Sequence, residues 1–448
     1  MKWRTPSAKP PRIRLPERAS EPVTSREALA WCLFDFANSS FTTVITTVAF
    51  SVYFVKVVAA GPDGGGQPSS GGGEALWGWG YALSMILVAL LSPILGAMAD
   101  HHAAKKRFLA AVTGLCIVCT AALYFVRAGD IALGLILFGL ANVGFELGYT
   151  FYNAFLVELA DRRDMGRLSG YGWALGYAGG LMALVLAYPF VKGGLAPENL
   201  DSYRQSFVMT AGFFLIASLP TFLYLRERAM PQPLPPGIGR WVVGFTRLAR
   251  TLREIRRYRQ LFVYLIAFLV YTDGINTVVI FSGIFAAQVL GFTPGDLIVY
   301  FLITQVTAGA GSYGFGILTD RVGAKRVIGI TLGLWVGIVL WAYGVSTAAE
   351  FYAIGLVAGA ALGANQATSR ALLGLFTPVG RQAEFFGFFS VSGKFAAVLG
   401  PILYGQIVLW TGSQRWAVLS LAMFFLAGWA ILWMVDEEAG LAAAVQER

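Results

Sequence analysis

Apolar residues in this chain come in long runs separated by short polar loops. Twelve runs are long enough to cross a bilayer as helices, which takes about 20 residues each. The pattern predicts spans over 29–58, 76–99, 107–127, 131–159, 168–191 and 206–226, then over 260–289, 295–318, 326–346, 350–376, 384–410 and 415–435. Most loops between them are too short for a soluble domain. Residues 1–28 hold five prolines and seven basic residues and read as a disordered or surface-bound cytoplasmic arm. Gly61 to Gly73 reads as a flexible outer loop. Residues 227–259 link the two groups of six spans. Within that link, apolar residues and arginines fall at helical spacing from Trp241 to Arg259, as in an amphipathic helix on the inner membrane surface or a solvated linker helix. A tail follows at 436–448. The expected fold is an all-α membrane protein with twelve transmembrane helices in two six-helix halves, 29–226 and 260–435.

Composition agrees. Hydrophobic residues make up 56% of the 448 and charged residues 13%, where soluble proteins carry about 25% charge. The net charge of +9 does not point to nucleic acid, because its distribution follows the membrane. With the N-terminus inside, inner segments hold 27 of the 34 Lys and Arg, and outer loops hold five: Lys56, Arg127, Lys192, Arg204 and Arg415. That asymmetry places both termini in the cytoplasm. The first apolar run starts near Ala28 and contains Asp35 and Asn38, unlike a cleavable signal peptide. Cys116-x-x-Cys119 and His101-His102 are read as packing and turn residues, so no metal or cofactor is expected. Without a nucleophile or metal motif in the helices, the chain is not read as an enzyme.

An internal repeat organises the halves. Gly96-Ala-Met-Ala-Asp100-His-His-Ala-Ala-Lys105-Lys106 returns as Gly316-Ile-Leu-Thr-Asp320-Arg-Val-Gly-Ala-Lys325-Arg326. Asp35/Asn38 matches Asp273/Asn276, and Gly170/Gly176 matches Gly387/Gly393. Two homologous hydrophobic halves mark a carrier whose site lies where they meet. Asp100 falls at the C-terminal end of its helix, where the dipole disfavours a carboxylate, so it needs a helix N-terminus or an arginine as partner. Gly96 would let that partner approach. The candidate gate is Gly96, Asp100, Lys105, Gly316, Asp320, Arg321, Gly323, Lys325 and Arg326. The first copy has His101 and Ala103 in place of Arg321 and Gly323, so its latch is expected to be the weaker. Gly172, Gly176 and Gly180 form a small-residue stripe for close helix packing, and Pro93 and Gly400-Pro401 are expected bends.

A charge within the bilayer costs a few kcal/mol and requires a partner, a cavity or a ligand. Asp35, Glu146, Asp273, Arg370 and Lys394 are such residues. They either neutralise one another or meet a cargo. Glu158 and Glu384, close to helix ends, are expected to face water. Asn38, Tyr149, Asn153, Trp173, Tyr177, Asn276, Asn365 and Gln366 supply amides, hydroxyls and aromatic faces near these charges and complete the candidate binding site.

The duplicated basic loop resembles the signature of the major facilitator superfamily. Phe34-Asp35-Phe-Ala-Asn38-Ser39, Tyr152-Asn153-Ala154, Gly166-Arg167-Leu-Ser-Gly170-Tyr-Gly172-Trp173 and Phe386-Gly387-Phe-Phe-Ser390-Val-Ser392-Gly393-Lys394-Phe395 are similar to one branch of it. That branch includes the fungal autophagy-related vacuolar amino-acid effluxer and bacterial relatives of unassigned substrate. The resemblance implies a secondary transporter working by alternating access, with the basic loops latching the cytoplasmic side shut in the outward-facing state. It implies an amino-acid-like cargo, with a hydrophobic drug or lipid as the rival and a non-transporting receptor as a further alternative. The expected coupling ion is a proton, carried by Glu146 or, second, Asp273. Sodium held by the Asp/Asn pairs is the alternative. The expected setting is a monomer in the plasma membrane.

Overall fold

The computed structural model describes residues 23–60, 72–229, 231, 242–253, 257–396 and 398–445. The expectations for the arm before Val23 and for the loop at 61–71 lie outside them. Twelve helices among the described residues are long and apolar enough to span a membrane. The first six are α1 (Ser25–Val58), α2 (Gly72–His102), α3 (Lys105–Phe125), α4 (Ile131–Leu159), α5 (Met165–Val191) and α6 (Pro197–Tyr224). The second six are α7 (Arg259–Leu290), α8 (Gly295–Val322), α9 (Ala324–Gly344), α10 (Ala348–Phe376), α11 (Gln382–Thr411) and α12 (Gln414–Trp433). A linker helix, Val242–Arg253, and a C-terminal helix, Glu437–Val445, lie at the end of the bundle that carries the termini.

Local chemistry sets the irregularities. The run Phe41-Thr-Thr-Val-Ile-Thr-Thr-Val48 is rich in β-branched residues, which crowd the turns of an α-helix, and α1 widens there and again at Phe54–Val58 into π-turns. Thr293/Asp296 and Thr347/Glu350 make capping boxes that start α8 and α10. In the first half, α1 packs on α5 and α6, and α4 on α2 and α3. In the second half, α7 packs on α12, and α10 on α8 and α9. The halves meet along two seams, α2 with α11 and α5 with α8.

The sequence predicts a continuous eleventh span, and here the structure differs. It breaks into Gln382–Phe395 and Leu399–Thr411. Both ends of the break are held by α7. Asp273 accepts from the Leu399 and Gly400 N–H groups at 3.1 and 3.0 Å, and the Asn276 amide donates to Ala396 C=O at 2.5 Å. Main-chain groups freed inside a bilayer must find such partners, and the Asp273/Asn276 pair provides one for each end.

Candidate functional site

At the termini end, each seam is pinned by a carboxylate set against a helix N-terminus of the other half. Asp320 accepts from the Gly166 and Arg167 N–H groups in the first turn of α5 at 2.7 and 2.9 Å. Asp100 accepts from the Glu384 N–H in the first turn of α11 at 2.9 Å. The positive end of one helix dipole thus compensates a carboxylate stranded at the negative end of another. Among the described residues, Asp100 accepts from one such helix N–H and Asp320 from two. Glycines allow the approach: a Cβ on Gly316 would lie 2.7 Å from Gly166 O, and one on Gly387 2.8 Å from Pro93 Cα.

The basic members of the loops divide. Lys105 is fully buried, ion-paired with Glu158 and 3.8 Å from Asp100. Lys325 donates to the Val435 carbonyl at 2.5 Å, and Lys106 correspondingly to Leu225 at 2.6 Å, so each ties its half's third helix to its sixth. Arg321 and Arg326 are exposed, and Gly323 has φ of 100°, a conformation suited to glycine at the turn between α8 and α9. Glu158 and Glu384 do not face water, in contrast to the expectation from their positions near helix ends. They are 5% and 0% exposed. Glu158 is covered by Lys105 and by the Arg228 N–H at 2.8 Å, and Glu384 accepts from the Thr251 hydroxyl of the linker helix. Outside the spans, burial raises the Glu227 carboxyl above its usual range while the Lys106 and Lys105 N–H groups that it caps oppose the shift.

Further into the bundle, two ion pairs join the halves, with both acids from the first half and both bases from the second. Arg370 of α10 is 1% exposed and reaches across to Asp35 and Asn153 at 3.0 Å each, to Ser169 Oγ at 2.9 Å and to Ser169 C=O at 2.6 Å. Its guanidinium lies 5.0 Å from the Trp31 ring centroid and 5.4 Å from that of Trp173. Tyr152 donates a second hydrogen bond to Asp35 at 3.1 Å. The glycine stripe of α5 makes room for this group: a Cβ on Gly172 would sit 2.7 Å from Arg370 Nη2, and those on Gly176 and Gly180 would meet Ser39 and Thr43.

The second pair is Lys394 of α11 with Glu146 of α4, at 2.5 Å. The Lys394 side chain is 29% exposed and that of Glu146 is 6% exposed, so this pair is less enclosed than the first. Phe145, Tyr149, Trp173 and Tyr177 form a row of neighbouring rings, and within it Trp173 faces the Arg370 guanidinium. Tyr177 donates to Gln366 of the other half at 2.5 Å. Among the described residues, the Asn38 amide nitrogen and the Trp173 indole nitrogen are buried without a hydrogen-bond partner. Asn365 is placed elsewhere, turned into the second half with its amide donating to Thr331 at 3.2 Å. Asp273 and Asn276 serve the break in α11. Sequence reasoning missed Trp31 and Ser169. Ser169 lies in a quoted motif, but nothing in the pattern linked it to Arg370.

A separate cavity of about 1250 Å³ opens at the termini end between α1, α5, α8 and the C-terminal helix, lined by Leu29, Leu168, Tyr171, Leu175 and Tyr313 under a rim that includes Arg162 and Asp164.

Residues 78–445 match the family described as "Vacuole effluxer Atg22 like". The chain is 29% identical over 427 residues to an uncharacterized major-facilitator-type transporter, YxiO, of Bacillus subtilis, covering 94% of this chain and 98% of that one. It is 27% identical over 334 residues to autophagy-related protein 22 of Yarrowia lipolytica, covering 67% of this chain and 55% of the fungal one. Among solved structures, the proton:xylose symporter XylE matches with a TM-score of 0.69 at 16% identity, covering 94% of this chain and 98% of that one. A bacterial homologue of the iron transporter ferroportin in its outward-facing state matches with a TM-score of 0.67 at 14% identity, covering 92% and 99%. These structural likenesses show a shared major facilitator fold.

Proposed function

The chain belongs to the Atg22-like vacuole effluxer family of major facilitator transporters, and from that premise we propose that it moves a small polar or zwitterionic, amino-acid-like solute by alternating access, coupled to protons. The observation that carries this reading is the Glu146–Lys394 pair. It joins the halves, and Lys394 remains 29% exposed. A zwitterion can exchange with such a pair, its ammonium meeting Glu146 and its carboxylate meeting Lys394, without leaving either buried charge uncompensated. The unpartnered Trp173 indole and the neighbouring rings supply a donor and apolar faces for the rest of the solute. Arg370, held by four hydrogen bonds, serves in this reading as a bridge between the halves. The family that the fungal relative shares is described as vacuole effluxers, which fits a carrier of small solutes.

In this cycle the halves, 29–226 and 260–435, rock about the central pairs. The two carboxylate-to-helix contacts hold the termini end closed, and that end faces the cytoplasm of a bacterial plasma membrane, in keeping with the distribution of basic residues. Glu146 is the preferred proton carrier, since the Asp273 carboxylate is committed to the Leu399 and Gly400 N–H groups.

The mixed apolar cavity at the termini end favours a second reading, export of a hydrophobic drug or lipid. Thermal-shift screening of the purified carrier against amino acids and against amphiphiles separates the two. Stabilisation by zwitterions that is lost in Lys394→Met supports the first reading. Stabilisation by amphiphiles alone replaces it with the second.

A further inference from the structure

The linker helix Val242–Arg253 touches both halves at the termini end. At its start, a Cβ on Gly244 would lie 2.7 Å from both Ile94 O and Met98 Cγ, so this turn lies directly against the last turns of α2. Near its end, the buried Thr251 hydroxyl donates to Glu384, and Arg381 donates to Thr251 at 2.9 Å. Glu384 is also the residue whose N–H is held by Asp100. The helix therefore braces the α2–α11 seam at the point where Asp100 meets the start of α11.

Other residues of the helix are open to the surroundings. Phe245 is 58% exposed and Arg253 is exposed. From Trp241 to Arg259 the sequence holds six arginines, Arg247, Arg250, Arg253, Arg256, Arg257 and Arg259, against the single acid Glu254. A helix lying beside the inner ends of membrane helices, with an exposed aromatic residue and a local excess of cations, matches the chemistry of an anionic bilayer surface. Charge complementarity selects phospholipid headgroups as the partner, and the exposed ring beside them selects a surface with an apolar layer beneath.

We propose that the linker helix is an anionic-lipid sensor for the gate: negatively charged phospholipids hold it in the braced position, which favours the state closed at the termini end. The linkage is direct. Only the closed state presents α2 and α11 together, so a lipid surface that binds the helix in this pose shifts the equilibrium towards closure. Arginine charge drives the docking, and Thr251 transmits it to Glu384.

The test uses the full chain in nanodiscs made either of phosphatidylcholine alone or of equal parts phosphatidylcholine and phosphatidylglycerol. Spin labels at the exposed Arg107 and Asp436, one in each half, report the separation at the termini end. The expected result is that phosphatidylglycerol raises the closed-to-open ratio by about fivefold, the effect of roughly one well-placed basic residue, and that high salt erodes the gain. R247Q/R250Q/R253Q should abolish the lipid response, and the corresponding lysine triple variant should restore it. Thr251→Ala should lower the closed fraction in phosphatidylglycerol while leaving the arginines in place. A wild-type distance distribution indifferent to phosphatidylglycerol overturns the proposal. So does a response that survives in full in the glutamine variant. Because the readout is a distance, neither result depends on which solute the carrier moves.

Discussion

Arg370 and Lys394 have the same charge and occupy the same half, yet the structure gives them different freedom. Arg370 is enclosed on every side, and removing it would leave Asp35 buried and unpaired. Arg370→Met is expected to destabilise the protein by about 3–5 kcal/mol, the usual result of breaking a buried pair, visible as a lower melting temperature in detergent. Gly172→Ala tests the same group more gently: its Cβ would displace Nη2, so the melting temperature should fall while a Gly337→Ala control, where nothing lies within 4 Å, leaves it unchanged. Lys394→Met should cost less stability than Arg370→Met, because it breaks a single ion pair whose lysine side chain is 29% exposed. Solute affinity should fall by about tenfold or more, the worth of one charge-assisted hydrogen bond at about 1.5–3 kcal/mol. Unchanged affinity would reduce Lys394 to a strut between the halves. The five intramembrane charges stood out in the sequence because charge is costly in lipid. Which acid meets which base was not legible, because Asp35 and Arg370 are 335 residues apart and no local pattern links them.

At the scale of helices, the duplicated loop was legible because the physics that demands a partner for Asp100 and Asp320 is local to a helix end. The partners were not, since Gly166 and Glu384 carry no signal as N–H donors to a distant carboxylate. The two latches differ in hydrogen bonds, so their mutants should differ in effect. Asp320→Asn weakens bonds to two N–H groups of the α5 N-terminus, where Asp100 is held by one N–H of α11, so Asp320→Asn should slow transport more than Asp100→Asn while both variants insert normally. Equal, wild-type turnover in both would leave the loops as topological anchors. The break in α11 was also hidden. Gly400-Pro401 announced a bend, but the cost of freeing main-chain groups is offset by Asp273 and Asn276 in another helix. Asp273→Ala should therefore destabilise the outer part of α11. Faster hydrogen exchange confined to 399–411 is the expected result, and protection equal to wild type there would show that the cap is dispensable.

For the whole molecule, the halves and their count of spans followed from hydropathy and the repeat alone, since a bilayer imposes length and polarity so strictly. Orientation rests on the basic residues. Single cysteines at Glu198 and at Arg163, both exposed and at opposite ends of the bundle, should be labelled from outside and protected from outside, respectively. The reverse result would turn the latches to the outer face. Coupling is the property that belongs to the molecule rather than to any residue. In this structure Glu146 is ion-paired with Lys394 across the two halves. In the proposed rocking of the halves, α4 and α11 move relative to each other, so the ion pair that joins them must part. The same displacement that moves the solute site would thus load and unload a proton. Uptake into proteoliposomes should follow an imposed pH gradient in the absence of sodium, and Glu146→Gln should abolish the response to that gradient. Uptake that follows only a sodium gradient would move the coupling role to the carboxylates of α1 and α7, where Asp35 and Asp273 would first have to give up the partners they hold here.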